Sequence, residues 1–91
     1  MTKADIINNI VTNSGVSKRE VGVVVESFMQ IIKDSLIKGE NVYLRGFGTF
    51  AIKHRAAKTA RNIQKNTTIV VDAHDIPTFK PAKSFAERMK S

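Results

Sequence analysis

The segment from Arg45 to Lys65 constrains this chain more than any other part of its sequence. It reads RGFGTFAIKHRAAKTARNIQK and holds six basic side chains and no acidic one. Two glycines around one phenylalanine predict a tight turn at its start, and the later residues are too poor in apolar side chains to cover a core. The six basic residues are Arg45, Lys53, Arg55, Lys58, Arg61 and Lys65. We therefore expect a ribbon that stays in solution and attracts polyanions.

The net positive charge of the whole chain is concentrated in its second half. The 91 residues carry a net charge of +7. Residues 1–44 contain five basic and five acidic side chains, whereas residues 45–91 contain ten basic and three acidic ones. A charge that only maintains solubility has no reason to collect in one half, but a phosphate-binding surface does. The distribution predicts nucleic acid as the partner, with an anionic membrane surface as the alternative.

Several other classes of protein are disfavoured by what the sequence lacks. It has no cysteine, so it can form neither a disulfide nor a cysteine metal site. We find no glycine-rich phosphate loop, no nucleophile with a base at recognisable spacing and no carboxylate pair, and we expect no enzyme activity, cofactor or small-molecule substrate. The first fifteen residues do not resemble a signal peptide, and no apolar run is long enough for a membrane span. We expect a cytosolic protein.

The first half of the chain predicts two helices. Thr2 can cap a first helix with Asp5 in its first turn, and Gly15 ends it. Ser17 and Glu20 have the spacing of a capping box at the start of a second helix, which Gly39 ends. Its apolar stripe consists of Val21, Val24, Val25, Phe28, Ile31, Ile32 and Leu36. A helix of this length spans roughly 30 Å, more than the short first helix can cover, so a second chain is expected to cover the rest.

The second half predicts strands. Alternation from Val42 to Ile52 around the glycine turn indicates a hairpin, and a long ribbon follows, leaving at about His54 and returning at about His74. Ile76 to Phe79 predicts a last short strand, with Pro81 at the first position of a terminal helix. Lys80 and Lys83 flank that helix start, where a phosphate could bind. Three phenylalanines, Phe47, Phe50 and Phe79, are expected in the core with Phe28 and not as base-stacking platforms.

A set of spaced motifs covers essentially all 91 residues: GFGTF at Gly46, HR at His54, ARN at Ala60 and IPTFKPAKSF at Ile76. Together they resemble the bacterial HU and integration host factor family of histone-like DNA-binding proteins. The resemblance implies an α+β fold: a helical body, a three-stranded antiparallel sheet extended into a long β-ribbon arm, and an intertwined dimer. HU and integration host factor are standard examples of architectural minor-groove binders, so that mode of binding comes from the resemblance.

The resemblance also assigns roles to residues and a division to the chain. Residues 1–53 and 75–91 form the dimerisation body, with Phe28, Phe47, Phe50 and Phe79 in its core, and residues 54–74 form the arm. DNA contacts of the arm fall on Arg55, Lys58, Arg61 and Asn62, and those of the flank on Lys80 and Lys83. Arg45, Lys53 and Lys65 join them because of their charge. The apolar wedge at the tip falls on Ile63, where the family usually has proline.

The resemblance favours a homodimer that bends, wraps and compacts duplex DNA in the minor groove, prefers bent, nicked or flexible DNA, and is associated with the nucleoid. A site-specific bender of the integration host factor type, acting as a heterodimer, remains the alternative. RNA binding is a weaker possibility because the sequence lacks a platform of basic and aromatic residues for splayed bases. A metal site at His54 and His74 is disfavoured.

Overall fold

The computed structural model describes residues 1–62 and 67–90; for residues 58–62 and 67–71 it describes the backbone only. The chain divides into two compact units, residues 1–34 and residues 35–91. The first contains helix α1, Lys3–Ser14, and most of helix α2, Lys18–Ile37. The second contains five strands and helix α3, Lys83–Arg88. The strands are β1, Val42–Leu44; β2, Gly48–Arg55; β3, Lys58–Asn62; β4, Thr67–Val71; and β5, His74–Pro81.

The starts and ends of the two long helices confirm the predicted capping. The Asp5 N–H donates to the Thr2 hydroxyl and the Thr2 N–H to the Asp5 carboxylate, so two backbone donors at the start of α1 are satisfied. The Ser17 hydroxyl accepts from the Glu20 N–H at 3.2 Å. Gly15, at φ +76°, and Gly39, at φ +87°, adopt the left-handed conformation that ends each helix.

An ion pair joins α1 to α2 inside the first unit. The Lys3 ammonium donates to the Glu26 carboxylate, and both side chains are exposed. The hydrogen bond and the charge of Lys3 lower the pKa of Glu26 below its ordinary value. The pair fixes the first turn of α1 against the middle of α2.

The strands form two antiparallel sheets. The first has the order β1-β2-β5, and the second pairs β3 with β4 from Lys58↔Val71 to Asn62↔Thr67. Alternation along β1 is confirmed, since Val42 and Leu44 are half-buried while Tyr43 and Arg45 are exposed. The predicted turn closes through the Phe47 N–H, which donates to the Leu44 carbonyl at 3.0 Å, and through Gly46 at φ +79°.

Two predicted boundaries are wrong. The ribbon is not continuous: β2 and β5 pair as far as Arg55↔His74, and then residues 56–57 and 72–73 separate this sheet from the β3-β4 sheet. Pro81 does not begin a helix but ends β5, opposite Gly48. The Ala82 N–H donates to the Phe47 carbonyl at 2.9 Å, which keeps residues 81–82 against the sheet, so α3 begins at Lys83. Met89 is the C-cap of α3.

Few apolar side chains are buried in a single copy of the chain. Among the described residues, those classed as buried and hydrophobic are Ile7, Val21, Ile32 and Ala51. Large apolar side chains of α2 are exposed, including Val24 and Ile31 at 66% each and Phe28 at 46%. An apolar stripe of this length that stays exposed is the usual sign of a surface that another chain covers.

Candidate nucleic-acid interface

The β2-β5 pair has two chemically different faces, because alternate residues of a strand point to opposite sides. One side, which we call the aromatic face, carries Phe50, Ile52 and His54 of β2 and Asp75, Pro77 and Phe79 of β5. The other side, the cationic face, carries Thr49, Ala51, Lys53 and Arg55 of β2 and His74, Ile76, Thr78 and Lys80 of β5. An uninterrupted register of eight residue pairs keeps these two sets apart along the whole length of the pair.

The aromatic face holds a cluster of phenylalanines. Phe79 lies between Phe47 and Phe50, with ring centroids 5.0 Å from each. Phe85 of α3 stacks on Phe47 at 5.8 Å with an interplanar angle of 18°. These separations are typical of packed aromatic pairs. The cluster therefore attaches α3 to this side of the sheet, and it confirms that Phe47 and Phe50 share one cluster.

Gly48 is required by this packing and not by its backbone conformation. A Cβ added at Gly48 would lie 2.5 Å from the Phe79 ring and 2.6 Å from the Lys80 carbonyl oxygen. Real Cβ atoms do not approach other atoms so closely, and the carbonyl belongs to a paired strand that cannot easily move. The two glycines of the motif thus have different functions: Gly46 allows the turn, and Gly48 allows β5 and the aromatic ring to approach.

The cationic face brings together basic residues that are far apart in the sequence. Lys53 and Arg55 project from β2, Lys80 projects from the far end of β5, and all three are exposed. Thr49 lies directly between Tyr43 of β1 and Lys80 of β5 in the register of the sheet. Arg45, Tyr43, Thr49 and Lys80 line a shallow groove beside the turn. A groove with two cations and two hydroxyl groups has the chemistry of a phosphate contact.

The remaining predicted DNA contacts are described to different extents. Lys83 is the first residue of α3 and is exposed, three residues after Lys80. Lys58, Arg61 and Asn62 lie on β3, for which the structure describes the backbone alone. Ile63 and Lys65 lie outside the described residues. No group of three or more side chains suited to a metal ion occurs among the described residues.

Two polar features of this region were missed by the sequence analysis. Tyr43 and Thr49 join the groove because the three strands align them in one row, and the residues alone do not reveal that row. His74 falls on the cationic face opposite Arg55, while His54 falls on the aromatic face opposite Asp75. The residue opposite each histidine depends on the register between β2 and β5, two strands that are distant in sequence, so alternation within one strand does not predict it.

This small protein therefore has a three-stranded sheet that is aromatic on one side and cationic on the other. A second, two-stranded sheet follows after a break in the strands. A model of the family described as "Bacterial DNA-binding protein" matches residues 1–90. The chain belongs to this family, whose members include the HU proteins. None of the helices in the described part of the chain has the apolar length that a membrane crossing would require.

Individual relatives agree over the full length. The chain is 38% identical to the DNA-binding protein HU of Staphylococcus aureus strain COL, over 99% of this chain and 100% of that protein. It is 32% identical to the DNA-binding protein HU of Thermotoga maritima over the same shares. Its fold matches that of Anabaena HU in a cocrystal structure with DNA, with a TM-score of 0.91, 27% identity, and coverage of 98% of this chain and 97% of that one.

Proposed function

We propose that this protein is an architectural DNA-binding protein: a dimer that holds duplex DNA in the minor groove, bends it and has little preference for sequence. The observation that carries the proposal is the cationic face, which presents Lys53, Arg55 and Lys80, with Arg45 in the adjoining groove and a second, two-stranded sheet next along the chain. A duplex presents closely spaced phosphates, and lysine and arginine side chains that neutralise them supply most of the affinity for DNA without reading its sequence.

The lack of a base-reading element supports low sequence preference. The cationic face is a sheet surface with exposed lysine and arginine side chains, whereas the three cations of α2, Lys18, Arg19 and Lys33, are balanced by three carboxylates on the same helix, Glu20, Glu26 and Asp34. Proteins of this kind recognise how easily DNA bends, because the bending energy depends on the sequence even where no base is contacted. Bent or nicked duplexes are therefore the expected preferred ligands.

Dimerisation is supported by the apolar residues that a single chain leaves exposed. Phe28 and Phe47 are each 46% exposed, and Ile31 is 66% exposed. Phenylalanine and isoleucine contribute about 1.5–3 kcal/mol each when fully buried, so covering them with a second copy is strongly favourable. A homodimer would also present two cationic faces and two arms to one duplex.

The arm and its tip complete the proposal. The division at residues 54–74 and the wedge at Ile63 rest on the resemblance to HU and integration host factor, since Ile63 lies outside the described residues. An apolar side chain that enters a base step costs a few kcal/mol of unstacking, which the wrapped surface of a bent duplex offsets. Isoleucine can act as this wedge, but it lacks the fixed φ of proline.

A competition experiment tests the function. Linear, nicked and mismatched duplexes of scrambled sequence, together with a duplex RNA, would compete for the protein at several salt concentrations. We expect nicked and mismatched DNA to bind tightest, sequence to have little effect, and log affinity to fall by ~0.9 for each phosphate contacted per unit of log salt. Strong preference for one linear sequence would instead indicate a site-specific bender, and equal binding of RNA would contradict the proposal.

Fluorescence energy transfer across an end-labelled duplex tests the wedge separately. Ile63→Ala should reduce the bend of saturated DNA far more than it reduces binding to a linear duplex. If the bend is unchanged, Ile63 is not the wedge, but the proposed DNA binding still holds. The function requires neither catalysis nor a cofactor, and it places the protein on the nucleoid in the cytoplasm.

A further inference from the structure

The two histidines of the chain lie at the same level of the sheet but in opposite settings. His54 lies on the aromatic face, and its Nδ1 is 2.8 Å from Oδ1 of Asp75, its partner in the register. His74 lies on the cationic face, opposite Arg55. Both stand at the last two residue pairs before the break at residues 56–57 and 72–73, where the first sheet ends and the arm sheet begins.

A hydrogen bond fixes which nitrogen of His74 carries hydrogen. Its Nδ1 is 2.9 Å from the backbone carbonyl oxygen of Asp72. A carbonyl oxygen only accepts, so Nδ1 of His74 carries the hydrogen in the neutral ring, and Nε2 is the nitrogen that gains the second proton. Protonation therefore converts Nε2 from an acceptor, which a phosphate repels, to a charged donor, which a phosphate binds.

The charged groups around His74 favour an anionic ligand on its side of the sheet. Arg55 is its direct partner across the pair, and Lys53 lies two residues along β2 on the same face. The nearby acidic side chains are Asp72, whose carbonyl accepts from His74, and Asp75, which is on the opposite face and contacts His54. A phosphate placed between Arg55 and His74 would meet two cations once His74 is protonated.

We propose that His74 is a pH-dependent contact for a DNA phosphate at the base of the arm, so that DNA binds more tightly as the pH falls through the range in which histidine gains its charge. The inference rests on the DNA-binding function proposed above. His54 has a different setting: its Nδ1 contacts Asp75 on the aromatic face, so a charge on His54 would lie away from the DNA-binding side. Binding of DNA should accordingly be accompanied by proton uptake at His74 alone.

The composition of the chain makes the test clean. It contains two histidines and no cysteine. Histidine is then the one type of side chain present whose charge ordinarily changes near neutral pH. Affinity for a short fluorescent duplex would be measured at pH 6 and pH 8 at fixed ionic strength, for the parent protein, His74→Gln, His54→Gln and His74→Lys. Circular dichroism would establish that each variant is folded.

We expect the parent protein to bind about one and a half to five times more tightly at pH 6 for each His74 that contacts a phosphate. His74→Gln should lose this response, and His54→Gln, the matched control, should retain it. His74→Lys should bind at pH 8 as tightly as the parent does at pH 6, with no response to pH. A full response in His74→Gln, or its loss in His54→Gln, would overturn the proposal.

A second measurement does not depend on any variant. The two imidazole resonances would be titrated by nuclear magnetic resonance in the free protein and in the DNA complex. The midpoint of His74 should rise in the complex and that of His54 should not; equal behaviour of the two would contradict the inference. Failure of the general function is distinguishable, because a protein that does not bind DNA at pH 8 fails the proposed function, whereas one that binds there with a flat pH response fails this inference alone.

Discussion

The two faces of the β2-β5 pair are built from the same strands but are held by different forces. The aromatic face packs Phe47, Phe50 and Phe79 within 5.0–6.5 Å of one another and attaches α3 through Phe85. The cationic face exposes Lys53, Arg55 and Lys80, which have no ion-pair partner among the described side chains. Packing stabilises the first face. On the second face Ala51 is buried and Thr78 is half-buried, and the exposed cations are the part that remains available to a ligand.

Neighbouring residues of β5 demonstrate this division. Phe79 and Lys80 are adjacent in sequence, yet the alternation of the strand places one in the aromatic cluster and the other in the groove beside Arg45. Stability and binding are therefore separable at the level of single residues. Substitutions on one face should change the free energy of unfolding, and those on the other should change DNA affinity.

The largest effect is expected from Phe79→Ala. It removes the ring that lies between Phe47 and Phe50, and truncation of a packed phenylalanine costs about 3 kcal/mol. Urea denaturation at one fixed protein concentration would measure the loss. Lys80→Ala is the matched control on the opposite face and should stay within about 0.5 kcal/mol of the parent. Equal losses in the two variants would show that the faces are not distinct.

Gly48→Ala should have the next largest effect. The added methyl group would overlap the Phe79 ring and the Lys80 carbonyl, and overpacking of this kind costs about 1–3 kcal/mol. Gly22→Ala is the control, because a Cβ there meets nothing within 4 Å and alanine is favoured by about 1 kcal/mol in a helix. The melting temperature should fall for Gly48→Ala and rise for Gly22→Ala. If Gly48→Ala leaves the melting temperature unchanged, close packing against Phe79 and Lys80 does not explain this glycine.

Substitutions on the cationic face should change binding and leave stability nearly unaltered. Lys53→Gln and Arg55→Gln should each reduce the slope of log affinity against log salt by ~1.8, because a homodimer then loses two side chains that each neutralise one phosphate. Lys18→Gln, at the exposed start of α2, is the control and should leave the slope as it is. If Lys53→Gln and Arg55→Gln both keep the salt dependence of the parent, the cationic face is not the interface.

The smallest effect concerns the Lys3–Glu26 pair, which lies in the charge-balanced first unit. Because the pKa of Glu26 is lowered in the folded chain, the pair contributes stability above the pKa of the unfolded state, and that contribution is lost as the pH falls through the lowered folded value. Glu26→Gln should therefore show a weaker loss of stability on acidification than the parent. Parallel pH profiles for the two proteins would contradict this.

Local signals in the sequence predicted the elements that depend on local chemistry. Thr2, Ser17, Gly15 and Gly39 mark helix ends because capping involves residues within a few positions of one another. Alternation from Val42 to Arg45 predicted which side chains are exposed. The return half of the predicted ribbon contains β4, TTIVV, whose β-branched residues favour a strand.

The features that the sequence did not predict depend on pairing between strands that are distant in the chain. Pro81 has the local chemistry of a helix start, but pairing with Gly48 and the bond from Ala82 to Phe47 retain it in the strand. The break at residues 56–57 and 72–73 involves alanines and an aspartate, which carry little preference of their own. The separation of His54 from His74 likewise depends on the β2-β5 register, which no local motif specifies.

The central claim, that duplex DNA contacts the cationic face and not the aromatic face, can be tested most directly by cross-linking. The chain has no cysteine, so Lys53→Cys and His54→Cys each introduce a single thiol, on adjacent exposed residues of opposite faces. Each variant would be mixed with a duplex that carries a thiol tethered to a backbone phosphate, and disulfide formation would be measured at equilibrium. The account predicts a high yield for Lys53→Cys and little for His54→Cys. Equal yields, or a higher yield for His54→Cys, would contradict it.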